Sequence, residues 1–190
     1  FEPDWTWMRQ RTDASGGYLV DSIRGNNAAL QTTNVNAEGT FASMTFTSTG
    51  ITVSGNENLN NENAHDYVAW NFKGSDSTAA SNTDGSINST VSANTTAGFS
   101  VITYAGSGSA GTIGHGLGVI PDMIIIKCRD TDSGADGGFV TWHKNMTGAF
   151  ASNGGYAYLN SNSAAAQTTV FYDGTGISSS VISFRGGNDN

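Results

Sequence analysis

The sequence predicts an all-β protein of sandwich or jelly-roll type, built from two related repeats. Three observations carry that reading. Glycine, serine, threonine and asparagine supply 25, 22, 22 and 19 of the 190 residues. All four are poor helix formers: the polar three compete for backbone hydrogen bonds, and glycine loses the most entropy when ordered. Valine, isoleucine, threonine and the aromatics fall in short alternating runs between turn residues, the pattern of pleated strands. Finally, the only two prolines open the same phrase. Pro3-Asp4-Trp5-Thr6-Trp7-Met8-Arg9-Gln10-Arg11 and Pro121-Asp122-Met123-Ile124-Ile125-Ile126-Lys127-Cys128-Arg129 lie 118 residues apart. A repeat constrains architecture before any local motif is weighed.

Strands are expected in order at Trp5–Arg11, Gly17–Ile23, Phe41–Phe46, Gly50–Ser54 and Tyr67–Phe72. In the last, Val68, Trp70 and Phe72 share one apolar face, which places Trp70 in the core. Residues 74–97 are polar and turn-rich, and read as a linker or an exposed edge ribbon. Phe99–Tyr104, Met123–Arg129, Val140–His143, Ala157–Asn160, Val170–Tyr172 and Val181–Arg185 follow. The second strand of each copy aligns as Gly16-Gly17-Tyr18-Leu19-Val20 with Gly137-Gly138-Phe139-Val140-Thr141, and Ala28-Ala29-Leu30 aligns with Ala157-Tyr158-Leu159. Repeat 1 thus spans 1–73 and repeat 2 spans 98–190.

The copies are incomplete at opposite ends. Repeat 1 has no counterpart of Phe99–Tyr104, and repeat 2 has none of Tyr67–Phe72. Two explanations stand: the chain is part of a longer polypeptide, or neighbouring chains supply the missing strands. An open edge templates strand addition, and a head-to-tail contact of that kind builds filaments or rings.

Composition narrows the function classes. A net charge of −8 with eight Lys and Arg argues against a nucleic-acid or anionic-membrane surface. No apolar run approaches the ~20 residues of a membrane helix. Cys128 is the sole cysteine, so no intrachain disulfide forms.

The chemical motifs are weak. Gly106–Gly116 is glycine-rich but lacks the Lys-Ser/Thr ending of a phosphate loop, and reads as a hairpin or bulge in which His115 caps a turn. Asp130, Asp132 and Asp136 gather three carboxylates in one segment; calcium takes such oxygen clusters, although the EF-hand spacing is missing. His65, His115 and His143 have no metal-site spacing, and no serine sits in a nucleophile elbow. An enzyme is not expected. Trp142, beside His143 and Lys144, is the candidate sugar-stacking residue. Three Asn-x-Ser/Thr sequons, at Asn88, Asn94 and Asn145, are expected by chance in so Asn- and Thr-rich a chain.

Four ordered spellings are distinctive: Val20-Asp21-Ser22-Ile23-Arg24-Gly25, Asp66-Tyr67-Val68-Ala69-Trp70, Gly114-His115-Gly116-Leu117-Gly118-Val119-Ile120-Pro121-Asp122 and Trp142-His143-Lys144. Together they resemble, over nearly the whole chain, a repeat family of bacteriophage tail and virion proteins. The resemblance implies lectin-like β-sandwiches in extracellular fibres and brings no catalytic residues. The expected function is therefore a structural subunit of an extracellular or virion fibre that binds copies of itself. Its contact elements would be Phe1–Arg11, Tyr67–Phe72, Phe99–Tyr104 and Val181–Asn190. The alternative is a carbohydrate-binding module that recognises a host glycan.

Overall fold

The computed structural model describes residues 1–190 apart from 13–15, 41–43, 55–59, 76, 131–137, 147–154, 163–175 and 185–190. The described residues form strands and no helix. In chain order these are β1 (Trp5–Gln10), β2 (Gly17–Asp21), β3 (Gly25–Gln31), β4 (Gly39–Thr40), β5 (Met44–Thr47), β6 (Gly50–Val53), β7 (Tyr67–Phe72), β8 (Ala80–Asn82), β9 (Ser89–Asn94), β10 (Phe99–Tyr104), β11 (Gly111–Gly114), β12 (Met123–Lys127), β13 (Phe139–His143), β14 (Ala157–Tyr158) and β15 (Val181–Phe184). The all-β expectation holds. The strand expected at Val170–Tyr172 lies outside the described residues.

Repeat 1 is a five-stranded antiparallel sheet in the order β4-β3-β2-β1-β7. Alternation sends Met8, Tyr18, Val20 and Ala29 to one face, where they meet Met44 and the β5–β6 hairpin residues Phe46, Ile51 and Val53. The matching strands of repeat 2 form a three-stranded sheet, β12-β13-β14. Its Ile124, Val140 and Trp142 pack against Ile113 of β11 and Ile182 and Phe184 of β15. These two packed layers give the sandwich character. Phe139, 1 % exposed, joins the halves by packing with Leu19 and Leu30 on the opposite face of the first sheet.

Residues 74–97 do more than span the repeats. β9 lies between β8 and β10, so the edge-ribbon reading fits β8 but not β9. Its low hydrophobicity hid it. Ser89 and Ser92 are buried because their hydroxyls are bonded: Ser89 Oγ donates to Gly114 O at 3.0 Å, and Ser92 Oγ donates to Asp4 Oδ1 at 3.3 Å. β3 and β11 were not expected as strands: β3 has no β-branched residue, and β11 is a four-residue strand with glycine at each end.

The repeat is physical as well as textual. Ser22 N–H donates to Asp4 O, and Lys144 N–H donates to Asp122 O, each at 2.9 Å. Ile23 N–H donates to the Asp21 side chain, and Asn145 N–H donates to His143 Nδ1, both at 3.1 Å. Thr32 N–H donates to Gly17 O as Leu159 N–H donates to Phe139 O. These bonds place Gly17 with Phe139, Tyr18 with Val140 and Val20 with Trp142. The text alignment, which matched Tyr18 to Phe139, is one residue out of register in this strand.

Candidate functional site

Two surfaces stand out, and both are built from the repeated first strand. On β1, Trp5 and Trp7 point away from Met8 because side chains alternate across a strand. β7 pairs alongside with Trp5 opposite Phe72 and Trp7 opposite Trp70. The rings meet: Trp5 and Phe72 at 5.2 Å, Trp7 and Trp70 at 5.6 Å, with Phe99 of β10 stacked on Phe72 at 5.0 Å. Trp7 Nε1–H donates to Thr32 Oγ1 at 3.2 Å. A Cβ at Gly17 would stand 2.6 Å from Thr32 Oγ1 and crowd Trp7 Nε1 at 3.0 Å, so glycine there lets the indole lie across β2. Trp70 and Phe72 remain 46 % and 45 % exposed. The result is an aromatic strip with a wet outer face. It joins three of the expected contact elements: the first strand, β7 and β10.

The second surface is the edge of β12. Lys144 N–H on Asp122 O fixes which backbone groups face β13. Alternation then turns Ile124 and Ile126 toward β13, and Met123, Ile125 and Lys127 outward. Among the described residues β12 has no strand on that outer side. Among the same residues the end of that side alone is covered, where Glu38 N–H donates to Arg129 O at 2.8 Å. Met123 and Ile125 are exposed, as are Val119 and Ile120 ahead of them.

An ion cluster locks the two repeats behind that edge. Glu38 accepts from Arg129 Nη2 and Nε at 2.8 and 2.9 Å, and from Arg24 Nη1 at 2.6 Å. Arg24 also donates to Asp21 at 2.5 Å. Burial alone would raise the Glu38 carboxyl; hydrogen bonds from Arg129 and Arg24, with their charges, outweigh it and hold the group below its ordinary value. The buried Arg24 is structural: Asp21 and Glu38 hold its Nε and Nη1, and its Nη2 donates to Leu19 O at 3.2 Å.

The residues expected to carry chemistry are placed differently. Trp142 is 9 % exposed and belongs to the core around Ile113 and Ile182, so no ring face is left for a sugar. Trp70, expected in the core, is the exposed tryptophan; the two assignments are exchanged. His143 is spent on a turn through the bond to Asn145. Asp130 is exposed, while Asp132 and Asp136 lie outside the described residues; among the described residues no group of three metal-ligating side chains forms. His115 is buried, and its Nδ1 accepts from Leu117 N–H at 3.2 Å across Gly116, whose φ is +71°. That is the turn cap expected of it. Its Nε2 lies 3.1 Å from Ser178 O, which assigns the proton to Nε2.

Comparison with protein families matches residues 1–190 to a domain of unknown function, DUF7483, and the chain belongs to that family. No curated protein and no solved structure matches it.

Proposed function

We propose that this DUF7483 member is a non-enzymatic structural subunit of an extracellular or virion fibre, joined to copies of itself through sheet edges and aromatic contacts. The observation that carries the reading is the apolar edge of β12, unpaired among the described residues, where Met123 and Ile125 are exposed beside outward-facing backbone groups. Soluble sheets ordinarily blunt such edges with charge, proline or a covering loop. Lys127 stands at one end of this edge, yet its ammonium is turned back to the carbonyls of Val35 and Cys128. The resemblance to phage tail and virion repeats points the same way.

The test is the native mass of the chain against concentration, by light scattering with electron microscopy. Concentration-dependent fibres or rings, lost in an Ile125→Lys variant that keeps its fold, are expected. A monomer at every concentration tested overturns the reading.

A second reading rests on its own observation. The exposed face of Trp70, backed by Trp7 at 5.6 Å, is the kind of platform on which sugar rings stack. Under that reading the chain is a carbohydrate-binding module. Glycan-array binding lost in Trp70→Ala, and kept when Ile125→Lys abolishes assembly, favours it over the fibre.

A further inference from the structure

The internal repeat identifies what fits the open edge. β1 and β12 are equivalent strands, each with its Pro-Asp lead, its bond to the turn after the second strand and its alternating side chains. On β1 the outward backbone groups are occupied by β7, antiparallel, with Trp5 opposite Phe72, Trp7 opposite Trp70 and Arg9 opposite Val68. The same offset of 118 residues carries Trp5, Trp7 and Arg9 onto Met123, Ile125 and Lys127.

We propose, building on the assembly reading above, that the outer edge of β12 accepts one extended strand of β7 chemistry from a neighbouring chain. The incoming strand sets a Phe72-like ring over Met123 and a Trp70-like ring over Ile125, with a Val68-like residue beside Lys127.

Three further observations fit that occupant. Met123 and Ile125 are the β12 side chains left exposed, at 49 % and 37 %, and they stand where Trp5 and Trp7 receive rings from β7. Glu38 closes the edge at Arg129, so the stretch left unpaired among the described residues is Met123–Lys127. Its length matches the core of β7. A strand pairs at this edge through main-chain bonds and gains specificity from alternate side chains. The apolar pattern of Tyr67-Val68-Ala69-Trp70-Asn71-Phe72 supplies large rings at alternate positions on the side that faces Met123 and Ile125.

Ile125→Pro isolates the edge. The Ile125 N–H points away from β13, so proline removes an edge donor without removing a bond to β13, and edge strands tolerate proline at such positions. A labelled peptide spanning Asp66–Lys73 is titrated into the intact chain by fluorescence polarisation. Saturable binding is expected, weakened roughly tenfold or more by Ile125→Pro, since one lost main-chain bond and poorer packing reach ~1.4 kcal/mol. A peptide carrying Val68→Asp and Trp70→Asp should not bind. Ile125→Lys provides a second variant should proline disturb the fold, and near-ultraviolet circular dichroism checks both.

No binding by the wild-type chain overturns the proposal, as does binding indifferent to both Ile125 variants, which would mark exchange with β7 on β1. Peptide binding by a chain that never assembles would uphold the acceptor edge while refuting the fibre. Assembly unaffected by saturating peptide would refute the edge while leaving the fibre standing.

Discussion

β1 and β12 each follow a Pro-Asp pair, take equivalent antiparallel partners, β2 and β13, on one side, and differ on the other. β1 is an interior strand, covered by β7; among the described residues β12 is an edge. Their motif aspartates diverge in step. Asp4 is buried and accepts from Ser22 Oγ, Ser92 Oγ and Gly74 N–H. Asp122, its counterpart, has a side chain 64 % exposed and meets Lys144 at 2.7 Å. The same local phrase therefore serves as a tertiary anchor in one copy and a solvated pair in the other. Local sequence specifies the strand and its turn; neighbours decide what the strand is worth.

The comparison can be broken at several points. Phe139 joins the copies with its side chain almost wholly enclosed, and Phe139→Ala should cost about 3–5 kcal/mol. Chemical denaturation should still show one transition if the halves unfold together. Two separated transitions in the wild-type chain would contradict that coupling. Next, Asp4→Ala strands the buried Gly74 and Ser92 donors and should cost about 2–3 kcal/mol, whereas Asp122→Ala should stay within about 0.5 kcal/mol. Equal losses at the two positions would sink the claim that they differ in role. In the aromatic strip, Trp70→Ala should cost about 1 kcal/mol through its ring contact with Trp7. Ile125→Lys, on the uncovered edge, should change monomer stability by less than about 0.5 kcal/mol.

The smallest effect is in pH. Glu38 has a lowered carboxyl pKa relative to the ordinary 4.5. Its contribution is fully present above that value and is lost as pH falls through the lower folded one. Thermal melts between pH 5 and pH 3 should therefore fall more steeply for the wild-type chain than for Glu38→Gln. Parallel curves would show that the Arg24–Glu38–Arg129 cluster contributes nothing across the repeats.

Much of this was legible in the sequence. β1 and β12 announced themselves through proline, which can open a strand but is not found inside one that is paired on both sides. β7 and β10 were read to their ends because alternation of large residues is a strong signal. β9 was hidden because its burial depends on hydroxyls finding Asp4 and Gly114 O, distant partners that no local pattern displays. Alternation also put Val68, Trp70 and Phe72 on one face without saying whether that face is covered, and so Trp70 and Trp142 exchanged places. The one-residue slip between Tyr18 and Phe139 came from matching aromatic to aromatic. Pairing register follows backbone bonds, and a single step moves a side chain to the other face. For the site, the expected contact strands β1, β7 and β10 do come together in one aromatic strip. The open edge of β12 could be read only once β1 and β7 were seen paired.

The most direct test is amide hydrogen exchange at two protein concentrations, read at Trp7 and Ile125. Trp7, under β7, should be protected in both samples. The Ile125 amide should exchange rapidly when the chain is dilute and become protected as it assembles. An Ile125 amide already protected in the dilute monomer, or still open in the assembled form, would contradict the account.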